Sequence, residues 1–314
     1  MGITVTGGLT SPGQSVYRHM IDHLLIDGKN SIYRSVFAGH VDQRFQQLGH
    51  DYFLIFMRFI ANYINKFRPK SVHLFWDARV SWRKNVYPEY KEHRSDQYND
   101  YSFDVRGELR RQMMIAIETF KNINVRQYFN TDQEADDLIY AFIKANENAE
   151  TVIVSGDGDF KQITYRFKNV KLFNPLASKS EFENVPELDP ILVKSFTGDK
   201  SDNISGYYGV GKVRVKPLVL DETERAKFFV SDKAIVMRDG QKVVVGDSIF
   251  NINKQIIDLN MNPVLQENMD YVSKQQTTPI LYDIEKVKQV ILKYKLRGLM
   301  ADISNLTLPF KNLH

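Results

Sequence analysis

Three short runs, HLLIDG (23–28), SVHLFWD (71–77) and ETVIVSGD (150–157), are apolar without alternation and each closes on an aspartate. A strand buried on one face alternates apolar and polar residues, whereas a strand buried on both faces is apolar throughout. Between these runs lie segments with helical periodicity: DYFLIFMRFIANYINKF (51–67), LRRQMMIAIETFKNI (109–123) and EADDLIYAFIKANE (134–147). VRQYF (125–129) and VKLFNP (170–175) add two more strand-like runs. Strands alternating with helices predict an α/β domain with a central, mainly parallel sheet. Ligands of such sheets bind outside the carboxyl ends of the strands. Asp27, Asp77 and Asp157 are therefore expected at one edge of one sheet.

Further carboxylates stand close by in the sequence. Asp159 follows Asp157 by two residues, Glu134, Asp136 and Asp137 open a helical segment, and GDKSDN carries Asp199 and Asp202. Each has an ordinary explanation on its own. An aspartate after a strand is often a turn residue. TDQE fits a capping box, with Thr131 as N-cap and Glu134 at the third helical position. Helical spacing would then put Glu134 and Asp137 on one face and Asp136 on another. Taken together, nine carboxylates in one α/β domain need compensating positive charge. The chain has no cysteine, so thiolate ligation is excluded, and a carboxylate set suits hard cations such as Mg²⁺ or Mn²⁺. A calcium-loop reading fails, because Gln162 and Ile204 stand where the loop requires glycine. Two hard cations about 4 Å apart would clamp the attacking and leaving oxygens of an in-line phosphoryl displacement.

Positive charge is unevenly spread. The formal net charge is only +4, yet Lys66 to Arg94 holds eight Lys/Arg against three Asp/Glu. Directly after Asp77, SWRKNVYPEYKEHRSDQY carries Arg83, Lys84, Lys91 and Arg94 interleaved with Trp82, Tyr87, Tyr90 and Tyr98. Cations track phosphates and aromatic faces stack bases, so Arg83, Lys84 and Tyr90 are candidate nucleic-acid contacts. GYYGVGKVRVK (206–216) approaches a phosphate-binding loop, but Val213 replaces the magnesium-holding Ser or Thr and no strand precedes it. A glycine hairpin between two helices fits better. Backbone groups at Gly209 and Gly211, with Lys212, Arg214 and Lys216, would grip a duplex backbone without reading sequence. Pro217 is expected to end or kink the second helix early. AIVMRDGQKVVV (234–245) reads as a β-hairpin around Asp239-Gly240, and IEKVKQVILKYKL (284–296) as a basic amphipathic helix.

The order and spacing of LLIDG, LFWD, YPEYKEHR, EADD, SGDGDF, TGDKSDN and GYYGVGKV resemble the flap endonuclease / 5′-nuclease superfamily, and its phage ribonuclease H branch most closely. The resemblance spans roughly residues 21 to 310. It implies a PIN-like catalytic domain over 21–185, with a basic arch or loop near 80–105, and a mostly helical helix–hairpin–helix domain over 186–314. A flexible extension of residues 1–20 precedes them. It further implies a Mg²⁺-dependent enzyme with two ions, Mn²⁺ able to substitute. That enzyme would cut phosphodiesters near the 5′ ends of flapped, nicked or forked DNA duplexes and in RNA–DNA hybrids during replication and repair. Asp27, Asp77, Glu134, Asp136, Asp137 and Asp157 would centre on the first metal, and Asp159, Asp199 and Asp202 on the second. Lys91 would stabilise charge on the scissile phosphate with help from Arg94, and Tyr90 would stack on an unpaired nucleotide. A PIN-type single-strand ribonuclease and a non-catalytic DNA-structure binder are the competing readings. A sliding clamp or a single-strand-binding protein is a further partner expectation, with the C-terminal LTLPFKNLH as one docking element and a packed tail as the alternative. No apolar run approaches the roughly 20 residues that span a membrane. A monomer in the cytoplasm (the host cytoplasm for a phage-encoded chain) is expected.

Overall fold

In the computed structural model, which describes residues 20–41, 52–92, 104–176 and 181–314, the aspartate-terminated runs are adjacent strands of one sheet. The strands are β1 (His23–Asp27), β2 (Ser71–Phe75), β3 (Arg126–Tyr128), β4 (Thr151–Val154), β5 (Val170–Asn174) and β6 (Glu181–Phe182). Their order is β3-β2-β1-β4-β5-β6, parallel except for the antiparallel β6. The order reverses between β1 and β4, the position at which open α/β sheets place their ligands.

The unbroken apolar strands have the reason inferred from sequence. Leu24 and Ile26 of β1 and Val152 and Val154 of β4 face one hydrophobic core, while Leu25 and Ile153 face a second on the other side of the sheet. The first core is closed by Tyr52–Phe67 and Val105–Phe120, and the second by Ala135–Ala145. Each large apolar side chain fully withdrawn from water contributes about 1.5–3 kcal/mol, so both faces must stay covered. The chain beyond 258 returns to do this. Val272 joins the second core, and Val287, Ile291, Leu299, Ile303 and Phe310 join the first.

Between those excursions lies a smaller core built on Phe196, Tyr207, Val215, Phe228 and Phe250. It supports the glycine hairpin between the helices Pro190–Thr197 and Lys212–Leu220. Pro217 does not end the second helix, which continues to Leu220 with the proline inside it. The predicted β-hairpin forms as β7 (Ile235–Arg238) and β8 (Gln241–Val244), with Asp239 and Gly240 both at positive φ. The N-terminal extension lies, apart from Met20, outside the described residues, as do Arg94, Tyr98 and the centre of the basic segment. The C-terminal LTLPFKNLH is packed: Phe310 and Leu313 are buried, and the His314 amide donates to the Lys70 carbonyl.

Candidate active site

The sheet edge carries the acidic residues on five separate supports. Asp27 ends β1, Asp77 lies two residues past β2, and Asp157 follows β4. The Asp27 carboxylate accepts from the Asn30 amide (3.0 Å) and the Ser155 hydroxyl (3.2 Å), which ties β1 to β4. Asp77 accepts from the backbone amide of Ala135 (2.9 Å), so the end of β2 caps the start of the next helix. Asp157 accepts from the Asp159 amide (2.9 Å), which turns the two carboxylates of SGDGDF into one loop.

That next helix differs from the sequence reading. It begins at Ala135, and Glu134, not Thr131, is its N-cap. The third helical position is Asp137, whose Oδ2 accepts from the Glu134 amide at 3.0 Å. A cap residue lies off the helical path, so the face argument that separated Asp136 does not apply. Ligand oxygens of Glu134, Asp136 and Asp137 all lie within 4.8 Å of one another.

The fifth support is a loop closed by two glycines. A Cβ on Gly198 would stand 2.4 Å from the Ile204 carbonyl, and one on Gly206 would stand 2.1 Å from that of Thr197. Only glycine permits backbones this close. The closure turns Asp199 and Asp202 back toward the sheet. Asp136, Asp159, Asp199 and Asp202 consequently line one narrow cavity with Arg83, Tyr90 and Lys194.

Four cations hold this acidic edge together. The buried Arg83 donates to Glu134 (2.8 Å) and Asp137 (2.9 and 3.0 Å), reaches Asp136 (3.4 Å), and gives its Nε hydrogen to the Ile256 carbonyl (2.8 Å). Lys91 lies 2.5 Å from Glu134 and 3.9 Å from Asp202. Its backbone is left-handed, at φ 56°, and its amide donates to the Asp202 carbonyl. Lys194 bridges Asp159 and Asp199, the latter at 2.6 Å. Lys29 pairs with Asp77 at 2.9 Å. Lys29 and Lys194 were not singled out from the sequence, because nothing in their spacing distinguishes them from surface lysines.

Arg83 and Tyr90 correct the sequence reading. Expected on an open nucleic-acid surface, both are buried. The Tyr90 hydroxyl shares its single proton between Glu134 (3.0 Å) and Asp202 (3.2 Å), so its ring is committed to the protein interior. Lys84 does face solvent. In the glycine hairpin Gly209 sits at φ 72°, its carbonyl accepting from Arg214 (3.2 Å), and Lys216 pairs with Glu187 (3.1 Å). Gly211 and Lys212 are exposed at the helix start.

Protonation equilibria follow from this wiring. Burial, with Asp77 and Asp157 nearby, pushes Asp27 up from 3.8 to about 7. Burial also lifts Asp136 well above its ordinary value despite Arg83. Burial acts the same way on Glu134 and Asp77, but Lys91 with Arg83 and Lys29 respectively reverse it, and both end lowered. Burial opposes the charge of Lys194, yet Asp159 and Asp199 raise it above the usual lysine range. The edge is thus short of positive charge at Asp27 and Asp136.

Comparison with known proteins agrees with this architecture. Residues 22–191 match the family described as 5′-3′ exonuclease, N-terminal resolvase-like domain. The chain is 24% identical to a 5′-3′ exonuclease of Mycoplasmopsis pulmonis, the match covering 80% of this chain and 92% of that one. It is also 24% identical to a DNA polymerase I of Caldicellulosiruptor bescii, covering 83% of this chain but 32% of the polymerase. Its fold is similar to that of the bacteriophage T5 D15 flap endonuclease in a pseudo-enzyme-product complex with DNA and metal ions. That likeness has a TM-score of 0.53 and 16% identity, over 91% of this chain and 99% of the other.

Proposed function

The chain belongs to the 5′-3′ exonuclease family and is a hydrolytic nuclease, and from that premise we propose that it is a Mg²⁺-dependent, structure-specific 5′-nuclease. It cuts phosphodiesters near the 5′ ends of flapped, nicked or forked duplexes and removes RNA from RNA–DNA hybrids. The observation that carries this reading is the meeting of carboxylates from three strand ends, one helix cap and one glycine-closed loop at a single sheet edge.

The donor set suits the cation. All candidate ligands are oxygens, and Glu134, Asp136 and Asp137 offer theirs within 4.8 Å, which matches the preference of Mg²⁺ and Mn²⁺. Asp27, Asp77, Glu134, Asp136, Asp137 and Asp157 would hold one ion, and Asp159, Asp199 and Asp202 a second. Bound there, two divalent ions supply an activated water and charge stabilisation at the leaving oxygen. The chain's own cations have separable tasks. Arg83 is buried and ion-paired, so it sets the spacing of the helix-cap carboxylates. Lys91 is partly open to solvent and reaches the scissile phosphate, where it offsets developing negative charge, with Arg94 assisting. Gly209, Gly211, Lys212, Arg214 and Lys216 hold the duplex through its backbone.

The test is cleavage of 5′-flap, nicked, gapped and RNA–DNA substrates with and without Mg²⁺. Cleavage confined to Mg²⁺ or Mn²⁺, and abolished in Asp157→Asn with substrate binding retained, is the expected result. Magnesium-independent cutting, or wild-type turnover by Asp157→Asn, would overturn it.

A further inference from the structure

The β7–β8 hairpin lies outside the motifs that carry the family resemblance, yet it is docked against the glycine hairpin. The Tyr208 amide donates to the Ile235 carbonyl at 2.7 Å, and the Tyr207 hydroxyl donates to the Gly246 carbonyl at 2.7 Å. Ala234 and Val236 are buried in the small core under the glycine hairpin. This anchoring fixes which way the outer face points. On the outer face, turned away from the buried Val236, Lys242 stands opposite Met237; Arg238 lies at the tip beside the Asp239-Gly240 turn and Lys233 at the base, and all three are exposed. Among the described residues none of them forms an ion pair with a carboxylate, in contrast to Lys216 on the adjacent helix, which pairs with Glu187.

Two further features set this patch apart from an ordinary solvated hairpin. The Lys242 ammonium lies 4.6 Å above the ring of Tyr208, which is itself 50% exposed. A cation held over an open aromatic face presents charge and a flat apolar surface together. A groove of about 370 Å³ also runs between the hairpin and the acidic loop, lined by Lys200, Asn203, Ser205, Tyr208 and Met237. Its wall is the glycine-closed segment that carries Asp199 and Asp202. Lys200 stands on that wall, and Met237 of the hairpin, opposite Lys242 in the register, closes the other side.

We propose that the β7–β8 hairpin is a second nucleic-acid grip, in which Arg238 and Lys242 contact phosphates of the duplex beside the acidic edge and Tyr208 packs on its sugars. This rests on the nuclease reading and extends the grip from the glycine hairpin, which carries Tyr208, to the adjacent β7–β8 hairpin. Such contacts read no sequence. Each phosphate neutralised steepens the fall of log Kobs with log salt by about 0.9.

Binding of a fluorescein-labelled 5′-flap DNA is measured by anisotropy from 50 to 300 mM KCl, in EDTA so that no cleavage occurs. Arg238→Ala/Lys242→Ala is expected to flatten the salt slope by about two and to weaken binding tenfold or more at low salt. Tyr208→Ala is expected to weaken binding with the slope unchanged. Lys286→Ala/Lys288→Ala, on the helix Ile284–Lys293 that packs on the first core rather than on the hairpin's core, is the charge-matched control and should bind as wild type. Circular dichroism melts confirm that each variant is folded. Wild-type slope and affinity in the Arg238→Ala/Lys242→Ala variant would overturn the hairpin's role while leaving the nuclease reading standing. An equal loss in the Lys286→Ala/Lys288→Ala control would overturn it too, by reducing the effect to net charge. Failure of the wild-type protein to bind flap DNA would overturn both.

Discussion

Asp27→Asn should make the metal-free protein more stable, against the usual expectation for a buried site. Asp27 is 9% exposed, and burial with its acidic neighbours holds its carboxyl at about 7 against 3.8 in the open chain. The folded state therefore binds the proton more tightly than the unfolded state. Stability falls as pH rises from about 4 to 7, and the full penalty is present above 7. A shift of that size corresponds to on the order of 4 kcal/mol. An asparagine keeps the bond from the Asn30 amide but turns a second donor toward the Ser155 hydroxyl, a mismatch of about 1 kcal/mol. The net gain at pH 8 is on the order of 3 kcal/mol, which is roughly 4–5 °C in Tm for a chain of this size. The assay is differential scanning calorimetry of both proteins in EDTA at pH 4.5 and pH 8. The variant should melt higher at pH 8, the difference should shrink toward pH 4.5, and saturating Mg²⁺ should reverse it by stabilising the wild type. A variant that melts no higher than wild type at pH 8 would refute the claim that this carboxylate is under-compensated.

Other perturbations test the remaining wiring. Lys194→Met removes the ammonium that bridges Asp159 and Asp199, so Mn²⁺ titration calorimetry should show tighter binding at the weaker site, and unchanged affinity would contradict that competition. Arg83→Met leaves three crowded carboxylates without their buried partner. The loss should be about 3–5 kcal/mol, read as a lower urea midpoint that Mg²⁺ partly restores. Burial, with His23 and Arg126 nearby, holds His73 well below its ordinary 6.5, and its ring bonds Ser71 (2.8 Å) and Tyr128 (2.9 Å). It stays neutral in the fold but protonates in the open chain below pH 6.5, so stability drops by up to about 1.4 kcal/mol per pH unit there. His73→Asn should flatten that limb of the Tm–pH curve.

The sheet and its layers were legible in the sequence because their cause is local. Apolar strands without alternation need cover on both faces, and the segments between them have the period to provide it. The same locality explains why Asp27, Asp77 and Asp157 come to one edge: in a parallel sheet all strands end on the same side. The glycine hairpin and the β7–β8 turn were legible for a related reason, since Gly209, Asp239 and Gly240 adopt backbone angles that few residues tolerate.

What only the tertiary structure decided is the wiring among charges distant in sequence. Arg83 and Tyr90 had the composition of a nucleic-acid surface, but Arg83 is enclosed by Glu134, Asp136, Asp137 and the end of the helix Ser248–Ile257. Lys194 became a bridging counter-ion because the contact of Gly198 with Gly206 folds the loop back on the helix. Glu134 became a cap, and so joined Asp136, because Asp77 took the Ala135 amide. Periodicity reports how a segment meets its own neighbours. The partner of a charge is set by distance and burial across the whole chain, and these exist only once the cores have closed.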